Sequence, residues 1–246
     1  MGAGQRDTNL LIFREFLSEF LLSIVLAVSL TAVALAQENV ASDGVLLRGK
    51  TVVLFGRVST CAAEGQIPAA QVFISLNDGK TWDRRGPLIE GSTFEYVLDD
   101  GITLRVAGSH TAEGPEIDPF LLMSTGDLSE WKLHKIYRGP SELRSVALND
   151  NGQLVAWIKH IDPHRERWEG PTYAYESRDN GATWGVLGPV PKGTTTPAGR
   201  VFSKIEKEDR GWRVVDMEGG GFEVQHLEVD HSWKTAHKFP LQMCRQ

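Results

Sequence analysis

Four tryptophans divide most of the chain into nearly equal lengths. Trp82, Trp131, Trp184 and Trp233 are separated by 49, 53 and 49 residues, and a period of this size marks a chain that stacks one supersecondary unit several times. Two of the four close related strings, "SLNDGKTW" (75 to 82) and "SRDNGATW" (177 to 184). A third, "STGDLSEW" (124 to 131), keeps the serine and the tryptophan but not the glycine and threonine, and "HLEVDHSW" (226 to 233) is more worn still. The same register runs upstream. "VLLRGKTVVLFGRV" (45 to 58), "FEYVLDDGITLRVAG" (94 to 108), "RSVALNDNGQLVAWIK" (144 to 159) and "VFSKIEKEDRGWRVVDM" (201 to 217) each read as strand, polar or glycine turn, strand. A third run then ends at each string and a fourth carries the tryptophan.

Each repeat is therefore a four-stranded antiparallel meander, and no stretch after the leader carries a helical period. A lone meander cannot bury both faces, and radial stacking of such sheets as blades is the usual solution. The expected fold is all-β, a small propeller of about four blades. Four is a low count, so an open stack, or an oligomer that completes the ring, stands as the alternative. In this reading the first and last sheets share no strand, which makes their junction the weak point.

Residues 1–36 lie outside the repeats. An uncharged run, "LLSIVLAVSLTAVALA", follows Arg6 and Arg14 and ends in Ala34-Leu35-Ala36, as in a signal peptide cleaved after Ala36. The run is longer than a usual signal core, so an uncleaved anchor is the alternative. The expectation is an exported chain, periplasmic or secreted, with one domain over 37–246 and no stable membrane insertion after cleavage. The leader carries two basic and three acidic residues, so its removal moves the net charge from −6 to −5. A mildly acidic domain lacks the basic face that nucleic acid requires. Cys61 and Cys244 are the two cysteines, and export permits a disulfide between them; two unrelated buried thiols are the alternative. If the fourth strand of each blade runs up from the string, the chain end emerges on the face where Cys61 lies, so the bridge would clasp the ring.

The string at 177 to 184 resembles the Asp box, S-x-D-x-G-x-T-W, of the sialidase-like propellers at every fixed position, through Ser177, Asp179, Gly181, Thr183 and Trp184. The string at 75 to 82 is similar through Ser75, Gly79, Thr81 and Trp82, with Asn77 in the aspartate place. The resemblance implies a propeller but no particular activity, because such proteins include sialidases, other glycosidases and non-catalytic binders. The residue types point to a folding device. Asp179 can accept the turn's N–H groups, Gly181 permits a positive φ, and Trp184 offers an apolar wedge. In the family it resembles, the box lies away from the active site.

Chemistry is then expected on the opposite face, in the loops between second and third strands and the links between blades. A sialidase would show three arginines for the substrate carboxylate, a tyrosine nucleophile backed by a glutamate, and an acidic proton donor. The family's Phe/Tyr-Arg-Ile/Leu-Pro motif is absent here. Position alone offers Arg144, Arg200, Tyr173, Glu116 and Asp118 as catalytic candidates. In "HIDPHRERWE" (160 to 169), His160, Asp162 and His164 are close in sequence, but Pro163 disfavours a helix that would align them and no fourth ligand is identifiable, so no metal is assigned. The same loop offers a sugar or partner platform, with Trp168 and Tyr173 to stack and Arg165 and Arg167 to hydrogen bond. No phosphate-binding loop, dinucleotide fingerprint or nucleophile elbow occurs, so no cofactor is expected. Two readings remain: a non-catalytic propeller binding a glycan or an exported or cell-surface protein, and an exo-acting glycosidase of sialidase type.

Overall fold

The computed structural model describes residues 42–62, 65–110, 118–162, 170–218 and 220–240, with the side chains of 59–62 and 65–67 outside that description. The strands form four antiparallel sheets. Blade 1 is β1 (Ser42–Arg48), β2 (Thr51–Ala62), β3 (Gly65–Ser75) and β4 (Asp83–Glu90), paired in that order. Blade 2 is β5 (Ser92–Asp99), β6 (Thr103–His110), β7 (Pro119–Thr125) and β8 (Trp131–Lys135). Blade 3 is β9 (Ser141–Leu148), β10 (Leu154–His160), β11 (Thr172–Ser177) and β12 (Gly185–Pro189). Three two-residue strands follow, β13 (Arg200–Val201), β14 (Ser203–Lys204) and β15 (Glu208–Asp209). Blade 4 consists of β15 with β16 (Trp212–Asp216), β17 (Gly221–Leu227) and β18 (Trp233–Pro240). The protein is an all-β, four-bladed propeller, and every tryptophan of the repeat lies at the first residue of its blade's fourth strand or just before it.

Strand alternation builds the core. On β2, Val53 and Phe55 face blade 2, whereas Val52 and Leu54 face blade 4. Blades 1 and 2 join through Phe55, Val72, Phe94, Val106, Phe120 and Leu122. Blades 2 and 3 join through Leu121, Met123, Val146, Leu154, Ala156 and Ile158. Blades 4 and 1 join through Leu54, Phe73, Trp212, Val214, Phe222 and Val224. A fully buried side chain of this kind stabilises by about 1.5 to 3 kcal/mol and a surface ion pair by about 1 kcal/mol or less, so these junctions hold the blades together.

Two sequence expectations need correction. The first–last junction was expected to be weak, yet blades 4 and 1 share a full apolar cluster and further ties. The Ser42 N–H and hydroxyl each donate to Asp216 Oδ1 at 3.2 Å, and the Leu47 N–H donates to Asp209 Oδ2 at 2.7 Å. Among the described residues it is blades 3 and 4 that share no buried apolar cluster. On the strand face alternate to Trp212, Val214 and Val224, blade 4 carries Arg213, Glu223 and Gln225 beside the exposed Val215: Arg213 Nε donates to Gln225 at 2.7 Å and its guanidinium lies 4.2 Å from the Trp233 ring centroid.

The second correction concerns residues 201–217, which do not form one hairpin. The stretch from Arg200 to Asp209 instead crosses the middle of the propeller and touches every blade. Phe202 N–H bonds Val146 C=O of blade 3 (2.8 Å), Ile205 N–H bonds Glu95 C=O of blade 2 (2.9 Å), and Val45 N–H of blade 1 bonds Glu206 C=O (3.0 Å). β15 then pairs with β16. The exposed polar residues of "SKIEKED" leave its side chains little to bury, and the backbone bonds of the segment are shared among the first strands of blades 1, 2 and 3 and the second strand of blade 4.

Candidate functional site

The box turns form one face of the propeller. Ser177 Oγ accepts the Gly181 N–H at 2.7 Å and donates to Asp179, which accepts the Thr183 N–H and hydroxyl at 2.8 and 2.6 Å. These bonds, Thr183's first, hold the Asp179 carboxyl down at about 2. The turn at 75 to 82 repeats the arrangement. Ser75 Oγ accepts the Gly79 N–H at 2.8 Å, and Asn77 bonds the Thr81 N–H and hydroxyl at 2.9 Å each. Trp82, Trp131 and Trp184 each donate their indole N–H to the carbonyl three residues earlier, at 2.9 to 3.0 Å. The serine, aspartate or asparagine, threonine and tryptophan side chains of both strings are thus engaged within their own turns.

The opposite face holds the ends of β2, β6 and β10 and the starts of β1, β5 and β9. There the first strands of three blades bulge at nearly the same level. Asp43 is the unpaired residue between Ser42 and Gly44 on β1, Glu95 that between Phe94 and Tyr96 on β5, and Arg144 that between Leu143 and Ser145 on β9. A bulge bends its strand and re-aims the extra side chain, so three consecutive blades place Asp43, Glu95 and Arg144 at the same end of their first strands.

The three differ in environment. Asp43 Oδ2 accepts the Phe94 N–H at 3.0 Å and Oδ1 lies 3.3 Å from Arg57 Nε. Burial outweighs that cation and pushes the Asp43 carboxyl up to about 6. Burial raises the Glu95 pKa; the hydroxyl bond it accepts from Ser109 and the charge of Lys204 oppose the rise, while the charges of Glu142 and Asp43 add to it. Glu142, one step from the third bulge, is 44% exposed and lies 2.9 Å from Arg144 and 4.0 Å from Lys159. Tyr96 joins the two blades by donating its hydroxyl to the Arg144 carbonyl at 3.2 Å. Beside Asp43, burial raises the Asp216 pKa, but the Lys207 and Ser42 bonds more than offset it and hold the carboxyl low.

An aromatic ledge stands at the same end of blade 3. Tyr137 from the link before β9 stacks on His160 at the end of β10, with centroids 4.7 Å apart, and Tyr173 on β11 lies 4.7 Å from His160 on a tilted plane. His160 Nε2 is 2.8 Å from the Tyr175 hydroxyl. Burial lowers the His160 pKa and raises that of Tyr175.

The structure brings together only part of the set expected from sequence. Arg144 is at the bulged end and Tyr173 in the ledge. Arg200 pairs opposite Leu148, at the box end of β9, and donates to the Asp99 carbonyl at 3.4 Å. Four residues of strand, about 13 Å, separate its level from that of Arg144, so the two arginines do not converge. Asp118 is tied to Lys135 at 2.8 Å and to the Gly139 N–H at 2.9 Å. Glu116, Arg165, Arg167, Trp168 and Cys244 lie outside the described residues, as does the side chain of Cys61 on β2. Among the described residues no group of three or more His, Cys, Asp or Glu is placed to hold a metal ion.

Asp43, Glu95 and Glu142 escaped the sequence reading. A signal for two bulges was present, since Gly56 and Gly108 each end an apolar stretch of the second strand opposite Ser42 and Phe94, and an isolated strand glycine marks a bulge or a close approach. At Gly108 a Cβ would stand 2.1 Å from the Thr93 carbonyl.

No family model matches the chain, and no curated protein matches it. Among solved structures it is similar to the GH93 α-L-arabinofuranosidase of Fusarium graminearum in complex with arabinobiose, with 17% identity and a TM-score of 0.35 over 78% of this chain and 61% of that one. It is also similar to the GH32 β-fructofuranosidase of Bombyx mori, with 13% identity and a TM-score of 0.39 over 77% and 43%. The chain thus spans less than two thirds of either.

Proposed function

We propose that the protein is an exported carbohydrate-binding propeller whose ligand sits at the bulged end of the blades, with its leader removed after Ala36. The observation that carries this reading is the alignment of three bulged first strands, which puts Asp43, Glu95 and Arg144, with Glu142, at one end of the blades. A sugar is held by a few placed polar groups beside an aromatic face, and Tyr173, Tyr137 and His160 at that end of blade 3 are such a face. A sialidase-type site is disfavoured because Arg144 and Arg200 lie at different levels of β9. Glycan-array binding followed by calorimetry tests the reading: Arg144→Ala and Tyr173→Ala should each weaken the best ligand about tenfold or more, the loss of roughly one charged hydrogen bond or stacking contact. Affinities unchanged in both variants would move the site elsewhere, to a protein partner or another face.

A further inference from the structure

We propose that the cleft between blades 2 and 3 on the box face binds a short peptide with free termini, of dipeptide size. The cleft has a volume of about 300 Å³, which gives space for about ten water molecules and so for a ligand of roughly ten non-hydrogen atoms. Strand alternation builds one wall. Glu130, just before β8, and Lys132 and His134 on it face blade 3 together with Met123 and Leu121 of β7, whereas Trp131 between them turns to blade 1. The other wall is the box turn of blade 3, through Asp179 and Asn180. One box position opens the space. Leu128 fills that place at the junction of blades 1 and 2, but blade 3 has Gly181 there and no side chain to fill it.

Charges of both signs stand in the cleft without partners. On blade 1 the places equivalent to Lys132 and His134 hold Asp83 and Arg85, which pair with each other at 3.2 Å. On blade 3, Glu176 pairs across the same two-residue step with Arg178 at 2.6 Å. Among the described residues nothing pairs with the Glu130 carboxylate, the Lys132 ammonium or the Asn180 amide. A simple anion would meet Glu130 and Asp179 there, and a simple cation would meet Lys132. A ligand with one charge of each sign satisfies both. Glu130 and Lys132 are two strand residues apart, about 7 Å, and the ammonium and carboxylate of an extended dipeptide are separated by nearly the same span. Lys132 and the Asn180 amide then hold the carboxylate, Glu130 holds the ammonium, and the buried Met123 thioether accepts side chains of different shape. Asp179 adds negative charge, but its oxygens are taken by Ser177 and Thr183.

The cleft lies at the other end of the blades from Arg144, so this inference and the sugar-binding reading stand or fall separately. L-alanyl-L-alanine is titrated into the isotope-labelled full chain, and binding is followed by magnetic resonance at the backbone amides of Asn180 and Gly181 and the imidazole of His134. Because Glu130, Lys132 and Asn180 are exposed, the expected dissociation constant is on the order of 1 mM. Acetylating the amine of the probe, or amidating its carboxyl, should each weaken binding about fivefold or more, and so should Glu130→Gln or Lys132→Ala with the free probe. Glu130→Gln should leave the affinity for the acetylated probe unchanged, and Lys132→Ala that for the amidated one, which assigns each terminus to its partner. Equal affinity for the free and the doubly capped dipeptide, shifts confined to other surfaces, or no binding up to about 50 mM probe overturns the inference.

Discussion

Gly181 and Leu121 belong to different blades, yet a Cβ on Gly181 would stand 2.6 Å from Leu121 Cδ2. The box glycine thus does two things at once. It takes a φ of +86° to close its turn, and its bare Cα lets blade 3 seat against blade 2. Gly79 repeats the relationship at the junction of blades 4 and 1, where a Cβ would come within 2.9 Å of the Trp212 ring on blade 4. In blade 2 the equivalent position is Leu128, which accepts a φ of 63° and buries its side chain in the junction with blade 1.

Gly181→Ala should therefore destabilise by more than its backbone conformation alone would require. The left-handed conformation costs about 1 to 2 kcal/mol and the overpacked contact about 1 to 3 more. Gly101→Ala is the control, because its φ is +84° but nothing lies within 4 Å of the added Cβ. Urea unfolding of both variants separates the terms, and equal losses would mean that Leu121 moves aside freely.

The repeat tryptophans should not be equal in energy. Trp184 is half-buried against the junction of blades 2 and 3, so Trp184→Ala should cost about 2 kcal/mol, less than the roughly 3 to 5 of a fully buried ring. Trp233 lies under Arg213 of its own blade, and Trp233→Ala should cost about 1 kcal/mol or less. A larger loss at Trp233 than at Trp184, seen in thermal or urea melts, would mean that blade 3 packs on blade 4 after all.

Asp43 gives a pH dependence of definite sign. Its carboxyl titrates at about 6 in the folded protein and near 4 in an unfolded chain. Between those values the folded state binds more protons, so stability falls as pH rises through the window. Two units correspond to about 3 kcal/mol. Asp43→Asn keeps an oxygen for the Phe94 N–H and should flatten the profile between pH 4 and 7. If the native protein instead gains stability over that range relative to the variant, attraction to Arg57 exceeds the cost of burial.

A Cys61–Cys244 bridge is proposed for the exported protein. β18 ends at Pro240, four residues before Cys244, on blade 4, and blade 4 is packed on the blade that carries Cys61. Since that junction is already apolar, the bridge acts by restricting the unfolded chain, worth about 5 kcal/mol before strain. Peptide mapping without reductant should recover the linked pair, and reductant should lower the melting temperature. Two free thiols in the exported protein would remove the bridge.

The sequence by itself determined what depends on neighbours along the chain. The period of the tryptophans fixes four blades, alternation and turn residues fix the strands, and the box turns close through bonds spanning at most four residues, as between Ser177 and Gly181. Even the bulges left a trace in Gly56 and Gly108. Tertiary structure decided the rest. The run from Arg200 to Asp209 has the β-branched and polar pattern of a hairpin, but its backbone partners are Val146, Glu95 and Val45, on three blades, and no local pattern encodes them. The closing contact between Leu47 and Asp209 spans 162 residues. The bulged end of the blades is of the same kind: Asp43, Glu95 and Glu142 are unremarkable carboxylates in the sequence, and they come to one end because three first strands bulge at one level, where burial raises the pKa of Asp43 and of Glu95. Hydrogen bonds and hydrophobic periods act over a few residues and can be read in order, whereas desolvation and convergence exist only once the blades are stacked.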